Sequence, residues 1–323
     1  MGYTNNQRAT FWVLLAASTL AVLWMTSANV ADGWLVAYAA ALPLLFRALI
    51  VASGQAAPIQ LWQSVRVWRA MRRREIVLYY QPKVLIGSDD LQGVEALARW
   101  EHPRRGTLSP ADWLEATEHR WLVQRFGDYV IGAAVEQAAT WRTAGYDFPV
   151  CVNVSPRCFS HRSLPRTVAR CLERHHLPAS YLVIELTEEA LTLPASSAAV
   201  AQQLTNLGVA LSLDDFGTGH SSMDRLVGLP LTELKIDRRF VARMVTNERN
   251  QAVVHAAIGL GHSLGMTVVA EGVESQETAN SLAMAGCDIA QGFLFSPALP
   301  AAELEHWLAR RGRLCRDGAA TSV

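Results

Sequence analysis

Charge is scarce in this chain, and neither sign prevails. Charged residues make up 18 % of its 323 residues, against about a quarter in an ordinary soluble domain, and 29 Lys plus Arg balance 29 Asp plus Glu. A disordered polyelectrolyte is excluded, and a protein that holds DNA or RNA through an overall positive field is argued against. Cysteine is sparse too. Cys151, Cys158, Cys171, Cys287 and Cys315 form an odd set, with no CxxC pair and no histidine at ligand spacing. This speaks against a disulfide framework or a structural zinc site, and for reduced thiols in a cytosolic compartment. No internal repeat of solenoid period is present. The Gly217-Thr218-Gly219 stretch lacks the Lys-Ser/Thr that completes a P-loop.

What the chain has in plenty is apolar sequence near its start. Residues 11–28 carry no charge and are long enough to cross a bilayer. A second apolar stretch, 34–52, contains Pro43, which such helices tolerate, and Arg47, which can snorkel to an interface. Arg8 precedes the first segment. Arg47, Arg66, Arg69, Arg72, Arg73 and Arg74 lie at or after the end of the second, and the turn between holds only Asp32. The positive-inside rule then puts both ends of the pair in the cytoplasm. Residues 1–52 are therefore expected to be a two-helix membrane anchor in contact with lipid. The alternative is a cleaved signal peptide ending near Thr26-Ser27-Ala28, but its apolar core is too long and a second span follows. Residues 53–74 read as a linker and a basic amphipathic helix, with Ile59, Trp62, Val65 and either Val67 or Trp68 on one side. Such a helix suits an anionic leaflet, pairing with its own copy, or a solvated connector.

From Ile76 onward short apolar runs alternate with helical stretches. Candidate strands are 77–80, 94–100, 150–154, 182–186, 209–214, 233–236, 267–270 and 289–293. The helical patterns between them stop near Gly145, Gly208, Gly265 and Gly286, where glycine caps a helix end. Ser109-Pro110-Ala111-Asp112 predicts a helix start with a capping hydroxyl. Eight strands alternating with helices predict an α/β fold, a TIM-type (β/α)8 barrel over 75–308 with a polar tail at 309–323. A doubly wound sheet produces the same alternation.

Polar residues stand where strands should be apolar: Glu95, Asn153, Glu185, Asp214, Asp215, Lys235, Glu271, Glu274 and Gln291. Buried charge without a partner is costly, so such residues at successive strand ends need a common cause. In a barrel these ends converge on one face, where active sites sit. Five carboxylates (Glu95, Glu185, Asp214, Asp215, Glu271) repel one another as bare anions. Two divalent cations offset that repulsion, and oxygen-only ligands with Asn153 suit Mg²⁺ or Mn²⁺. Paired ions of this kind serve in-line attack of water at phosphorus, so the residues point to phosphoester hydrolysis. Taken singly, Asp214-Asp215 before Phe-Gly-Thr-Gly also fits an Asx turn, and Lys235 also fits an internal ion pair.

The chain resembles the EAL-domain family of bacterial cyclic di-GMP phosphodiesterases. The resemblance rests on YYQP at 79–82, EALARW at 95–100, NVS at 153–155, ELTE at 185–188, DDFGTGHSS at 214–222, KID at 235–237, EGVE at 271–274 and QGFLFSP at 291–297. It implies a TIM-type barrel whose first strand runs antiparallel to the rest, and hydrolysis of cyclic di-GMP to linear 5′-pGpG. It assigns one metal to Glu95, Asn153, Glu185 and Asp214, and a second to Asp214, Asp215 and Glu271. Lys235, Glu271 and Glu188 carry the catalytic assignments, with Lys235 or Glu271 orienting or deprotonating the attacking water. Glu188 is to tie down the loop 216–222, and Glu274 the far rim. Gln81, Leu97, Arg99, Gln291 and Pro297 are to line the dinucleotide pocket. His220 stands where the family usually has Tyr, which bears on the loop rather than on a metal ligand. The expected setting is a bacterial inner membrane, with both termini and the barrel cytoplasmic and a homodimer formed through the barrel. A catalytically silent receptor usually lacks a metal ligand, and here all are present. A membrane scaffold is the other alternative.

Overall fold

The computed structural model describes residues 57–88, 90–192, 196–218 and 223–311. Both segments expected to span a membrane, His220 and the C-terminal tail beyond 311 lie outside the described residues. Among the described residues no helix is long and apolar enough to cross a membrane. The chain divides into two units, 1–66 and 67–323. The described part of the first is the opening of helix α1 (Ala57–Arg72), where Leu61 and Trp62 are exposed and Ser64 is buried.

In the second unit the strands are β1 (Ile76–Leu85), β2 (Leu91–His102), β3 (Gly106–Leu108), β4 (Val150–Asn153), β5 (Leu182–Thr187), β6 (Ala210–Phe216), β7 (Glu233–Ile236), β8 (Thr267–Ala270) and β9 (Ile289–Ala290). Between and after them run α2 (Val123–Thr143), α3 (Pro156–Phe159), α4 (Leu164–His175), α5 (Ser196–Asn206), α6 (Met223–Gly228), α7 (Arg238–Val241), α8 (Glu248–Ser263), α9 (Gln276–Met284) and α10 (Ala301–Arg310). Strands β2 and β4 to β9 pair in parallel, each with the next. β1 pairs antiparallel with β2, placing Gln81 opposite Glu95, and antiparallel with β9, placing Val84 opposite Ala290. That double pairing removes both free edges and closes an eight-stranded barrel, which decides against the doubly wound sheet. β3 lies outside the closed ring as an antiparallel extension of β2.

Burial on both faces explains the apolar runs. In β5 the first five residues, Leu-Val-Ile-Glu-Leu, are all buried, as a parallel strand covered on one side by helices and filled on the other by barrel interior requires. The main core joins residues of every barrel strand to α2, α4, α5, α8 and α10.

Two local expectations need correction. Ser109 does not cap a helix with its side chain. Two 3-10 turns, Pro110–Asp112 and Leu114–Glu118, occupy this stretch, and α2 starts only at Val123. Trp113 breaks the run with φ −148° and buries its ring edge-on to Trp100 and Phe126. The face predicted for the basic helix, Ile59, Trp62, Val65 and Val67 or Trp68, is buried only at its end: Val67 is buried, Val65 and Trp68 are half-buried, and the side chain of Ile59 lies outside the described residues. Trp62 is 60 % exposed, whereas Val67, Ala70 and Met71 are buried. They pack with Ile76, Trp100, Leu108, Trp113 and Leu122 in a satellite cluster. The helix therefore docks by its C-terminal half, because a wall of indole and leucine side chains is available there. The four described cysteines, Cys151, Cys158, Cys171 and Cys287, form no disulfide.

Candidate active site

The parallel register brings the strand-end polar residues together. Glu185 on β5 is level with Asn153 on β4 and Ser212 on β6, and Glu95 on β2 is level with Cys151 on β4. β6 departs from regular geometry at its end, with a register shift between Leu213 and Phe216. Neighbours on a regular strand point to opposite faces. Here Asp215 adopts φ +57°, a left-handed conformation that Asp tolerates better than most residues, and its N–H bonds to Asp214 Oδ1 at 2.9 Å. The irregularity turns two consecutive carboxylates toward one place, as bulges near functional sites do. Just past β8, Gly272 follows Glu271 with φ +66°, and a side chain there would overlap Arg238.

At the centre lies the fully buried ammonium of Lys235. Its Nζ is 3.3 Å from Glu95 Oε2, 3.3 Å from Glu185 Oε1, 3.2 Å from Asp214 Oδ1 and 2.7 Å from Glu271 Oε1. Burial works against the ammonium, but Asp214, Glu185, Glu271 and Glu95 outweigh it and hold Lys235 well above the usual lysine range. Burial likewise opposes ionisation of Glu95. Lys235 and the amide donors Gln291 Nε2 (2.6 Å) and Asn153 Nδ2 (2.6 Å) reverse that and keep the carboxyl below its ordinary value. Glu185 has less help: burial pushes it well above the carboxylate range. Glu271 is pushed up to about 8 by burial, with the repulsion of Asp214 and Glu95 added. Asp215 is pushed up to about 6 by burial, by Asp214 and by a hydrogen bond with Asp237.

Two carboxylate groups are compact enough to hold a cation. Oxygens of Glu95, Glu185 and Asp214 lie within 4.8 Å of one another, as do those of Asp214, Asp215 and Glu271. Asp214 belongs to both. The fit to divalent ions has a sharper sign. Glu185 is completely buried, and neither of its side-chain oxygens accepts a hydrogen bond. Its one cationic contact among the described residues, Lys235 at 3.3 Å from Oε1, is shared with three other carboxylates, so the buried group is short of partners that a divalent ion would supply.

Around this centre, the face of β2 that carries Glu95 also carries Leu97 and Arg99, opposite Gln81, Tyr79 and Val77 of β1. Arg99 is half-buried, its Nη1 donating to the Ala98 carbonyl at 3.0 Å and its guanidinium over the Tyr79 ring. Gln81 accepts from Gln291 Nε2 at 3.1 Å and donates to the Ser296 carbonyl, beside the exposed Pro297. Gly292 fits against the backbone of Val273 with no room for a side chain, which seats Gln291 on the rim. Glu188 is buried at the start of a 3-10 turn, Glu188–Thr192, that packs on β6 and α6. Glu274 lies exposed beyond Glu271 and is not brought into either carboxylate group.

Sequence reasoning missed Asp237, which reaches Asp215 and also accepts from Arg239 N at 2.6 Å to cap α7. It also missed a layer inside the barrel. The buried Lys83 Nζ lies 2.5 Å from Glu233 Oε1 and 3.4 Å from Cys151 Sγ, and Ser212 Oγ donates to the same Glu233 oxygen at 2.8 Å. A charged residue in an otherwise apolar strand was the available signal for Lys83.

Comparison with known proteins places these features in a family. The EAL domain model matches residues 65–298. The bifunctional diguanylate cyclase/cyclic di-GMP phosphodiesterase MucR of Pseudomonas aeruginosa is 40 % identical over 248 residues, 76 % of this chain and 36 % of MucR. The cyclic di-GMP phosphodiesterase RocR of the same organism is 37 % identical over 235 residues, 72 % of this chain and 60 % of RocR. The chain thus spans less than two thirds of either relative. A solved structure described as the PaMucR phosphodiesterase in complex with c-di-GMP superposes with a TM-score of 0.72 at 40 % identity, covering 75 % of this chain and 99 % of that one.

Proposed function

The chain belongs to the EAL-domain family, and from that premise we propose that it hydrolyses one phosphodiester bond of cyclic di-GMP to give linear 5′-pGpG. The observation that carries the reading is the pair of carboxylate groups sharing Asp214, one of them containing Glu185, whose oxygens accept no hydrogen bond and hold only a share of Lys235. Glu95, Asn153, Glu185 and Asp214 would hold one divalent ion, and Asp214, Asp215 and Glu271 the other, Mg²⁺ or Mn²⁺ by the hardness of the donors. When bound, two such ions supply Lewis acidity to both the attacked phosphorus and the departing oxygen.

The chain's own residues supply the rest. Lys235 and Glu271 face each other at 2.7 Å; Lys235, held as an ammonium by the four carboxylates around it, can orient the attacking water, and Glu271 can take its proton. Arg99, with Gln81, Leu97, Gln291 and Pro297, forms the wall on which the dinucleotide would lie, and the Arg99 fork suits a phosphate. Glu188, from its turn beside β6 and α6, would tie down the loop 216–222, and Glu274 would act at the far rim. We also read residues 1–52 as a lipid-embedded anchor that holds the barrel on the cytoplasmic face of a bacterial inner membrane, on the apolar runs and the arginines that follow them. A homodimer through the barrel belongs to the same reading. Fractionation and sedimentation of the detergent-solubilised protein test these two points.

The deciding experiment is chromatographic detection of pGpG from cyclic di-GMP, using the purified chain with Mg²⁺, Mn²⁺ or no added metal. Metal-dependent turnover that disappears in Glu95→Ala is the expected result. Binding without turnover would make the protein a receptor, and neither would refute the substrate.

A further inference from the structure

Beneath the carboxylate centre the barrel holds a second buried cation, and its partner is the point of interest. Lys83 is 2 % exposed and must be paired, because a buried ammonium without a partner is strongly unfavourable. Its strongest contact is Glu233 Oε1 at 2.5 Å, and Ser212 Oγ fixes that oxygen from the other side at 2.8 Å. One oxygen of Glu185, one of Glu233 and the Cys151 sulfur all lie within 4.8 Å of one another. Glu185 therefore faces two layers, Lys235 on the side of the carboxylate centre and the Lys83–Glu233 pair on the other. Its oxygens accept no hydrogen bond and hold only a share of Lys235, at 3.3 Å from Oε1, while Lys83 is committed to Glu233.

We propose that Glu233 is a positioning residue that holds Lys83 away from Glu185, so that Glu185 stays available to a divalent ion. Glu233 belongs to neither of the two carboxylate groups that share Asp214; it acts by occupying Lys83. Once Glu233 loses its charge, the ammonium has Glu185 as its nearest carboxylate and competes there with the incoming ion. Removing Lys83 as well removes the competitor, so a loss caused by the first change is repaired by the second. A purely packing role for Glu233 predicts the opposite, since the double variant disturbs packing more. The inference rests on the two-metal reading above.

The test is Mn²⁺ binding to the purified full chain, followed by the electron paramagnetic resonance signal of the free ion. Glu233→Gln is expected to weaken binding about tenfold or more, in the range found for residues that orient metal ligands. Lys83→Met/Glu233→Gln is expected to return to within about threefold of wild type. Unchanged binding in Glu233→Gln, or a double variant as weak as the single, overturns the proposal. Ser212→Ala removes only the hydroxyl that orients Glu233 and serves if Glu233→Gln does not fold. It should weaken binding about two- to fivefold in the wild-type background and not in Lys83→Met. Equal effects in both backgrounds, or none, overturn the idea as well. Wild-type protein that binds no Mn²⁺ sinks the two-metal reading and this inference with it; normal wild-type binding matched by Glu233→Gln sinks only the role of Glu233.

Discussion

Divalent-ion binding by this protein should release protons, in a number that changes with pH in a calculable way. In the metal-free site Glu271 titrates at about 8 and Asp215 at about 6. A cation requires both as carboxylates, so any proton they hold must leave. At pH 7 Glu271 is about nine-tenths protonated and Asp215 about one-tenth, so about one proton leaves per chain. At pH 5.5 the pair hold almost two protons, and at pH 9 they hold about a tenth of one. Glu185, also raised, can only add to the release. Apparent affinity for Mg²⁺ should then rise roughly tenfold for each pH unit around neutrality. Isothermal titration calorimetry at each pH, in pairs of buffers with different ionisation heats, measures the proton count directly. The decisive quantity is the change across pH 7 to 9. A release that stays level over that interval would mean that Glu271 is already ionised in the metal-free protein, and that the crowding by Asp214 and Glu95 is relieved in some other way.

Further expectations follow from the same geometry. In chelator, thermal stability should fall as pH rises from 5 to 8. The folded state holds protons on Glu271 and Asp215 that the unfolded chain, titrating near 4, has already lost, so the folded form binds more protons and stability declines; roughly 5–10 °C in Tm is expected, abolished by saturating Mg²⁺. Lys235→Met should destabilise the metal-free protein by about 3–5 kcal/mol, because it strips the shared partner from four carboxylates, and differential scanning calorimetry with and without Mg²⁺ would show divalent ions recovering part of the loss. Gly292→Ala drives a methyl into the backbone of Val273 and should cost about 1–3 kcal/mol or more, read as a lower urea midpoint at unchanged slope. Glu95→Ala should reduce turnover at least about 100-fold while leaving far-UV circular dichroism intact.

How much of this was legible beforehand depends on whether the information is local. Strands β7 and β8 fall on their expected limits, since a run of apolar residues between turn signals is a local property. The choice of a closed barrel over an open sheet is not local. It turns on β1 reaching both β2 and β9, residues far apart in sequence; the count of eight strands suggested it, and the family resemblance alone favoured it over the doubly wound sheet. At the site, the strand-end carboxylates announced themselves because no apolar face tolerates them. Lys83 and Glu233 obey the same logic but sit where strand ends often carry solvated charge, so pattern alone did not separate a buried pair from an exposed one. Asp237 was quoted within a motif, yet its reach to Asp215 depends on the turned end of β6. The docking face of α1 was legible only at Val67, for a similar reason. Its periodicity offered Trp62, and the apolar wall that decides the matter is built from Trp100 and Trp113.

Because β1 runs against its seven companions, the polypeptide enters the barrel at the mouth. Ile76, the first residue of β1, lies opposite Trp100, five positions beyond Glu95 along β2. Had β1 run with the others, the chain would come in at the floor, a full strand away from the carboxylates. A fusion partner or reporter grafted just ahead of β1 would therefore enter on the side of the barrel that carries the carboxylate centre. For anyone building chimaeras from this scaffold, the upstream junction is the place from which access can be obstructed or opened without recutting the barrel itself.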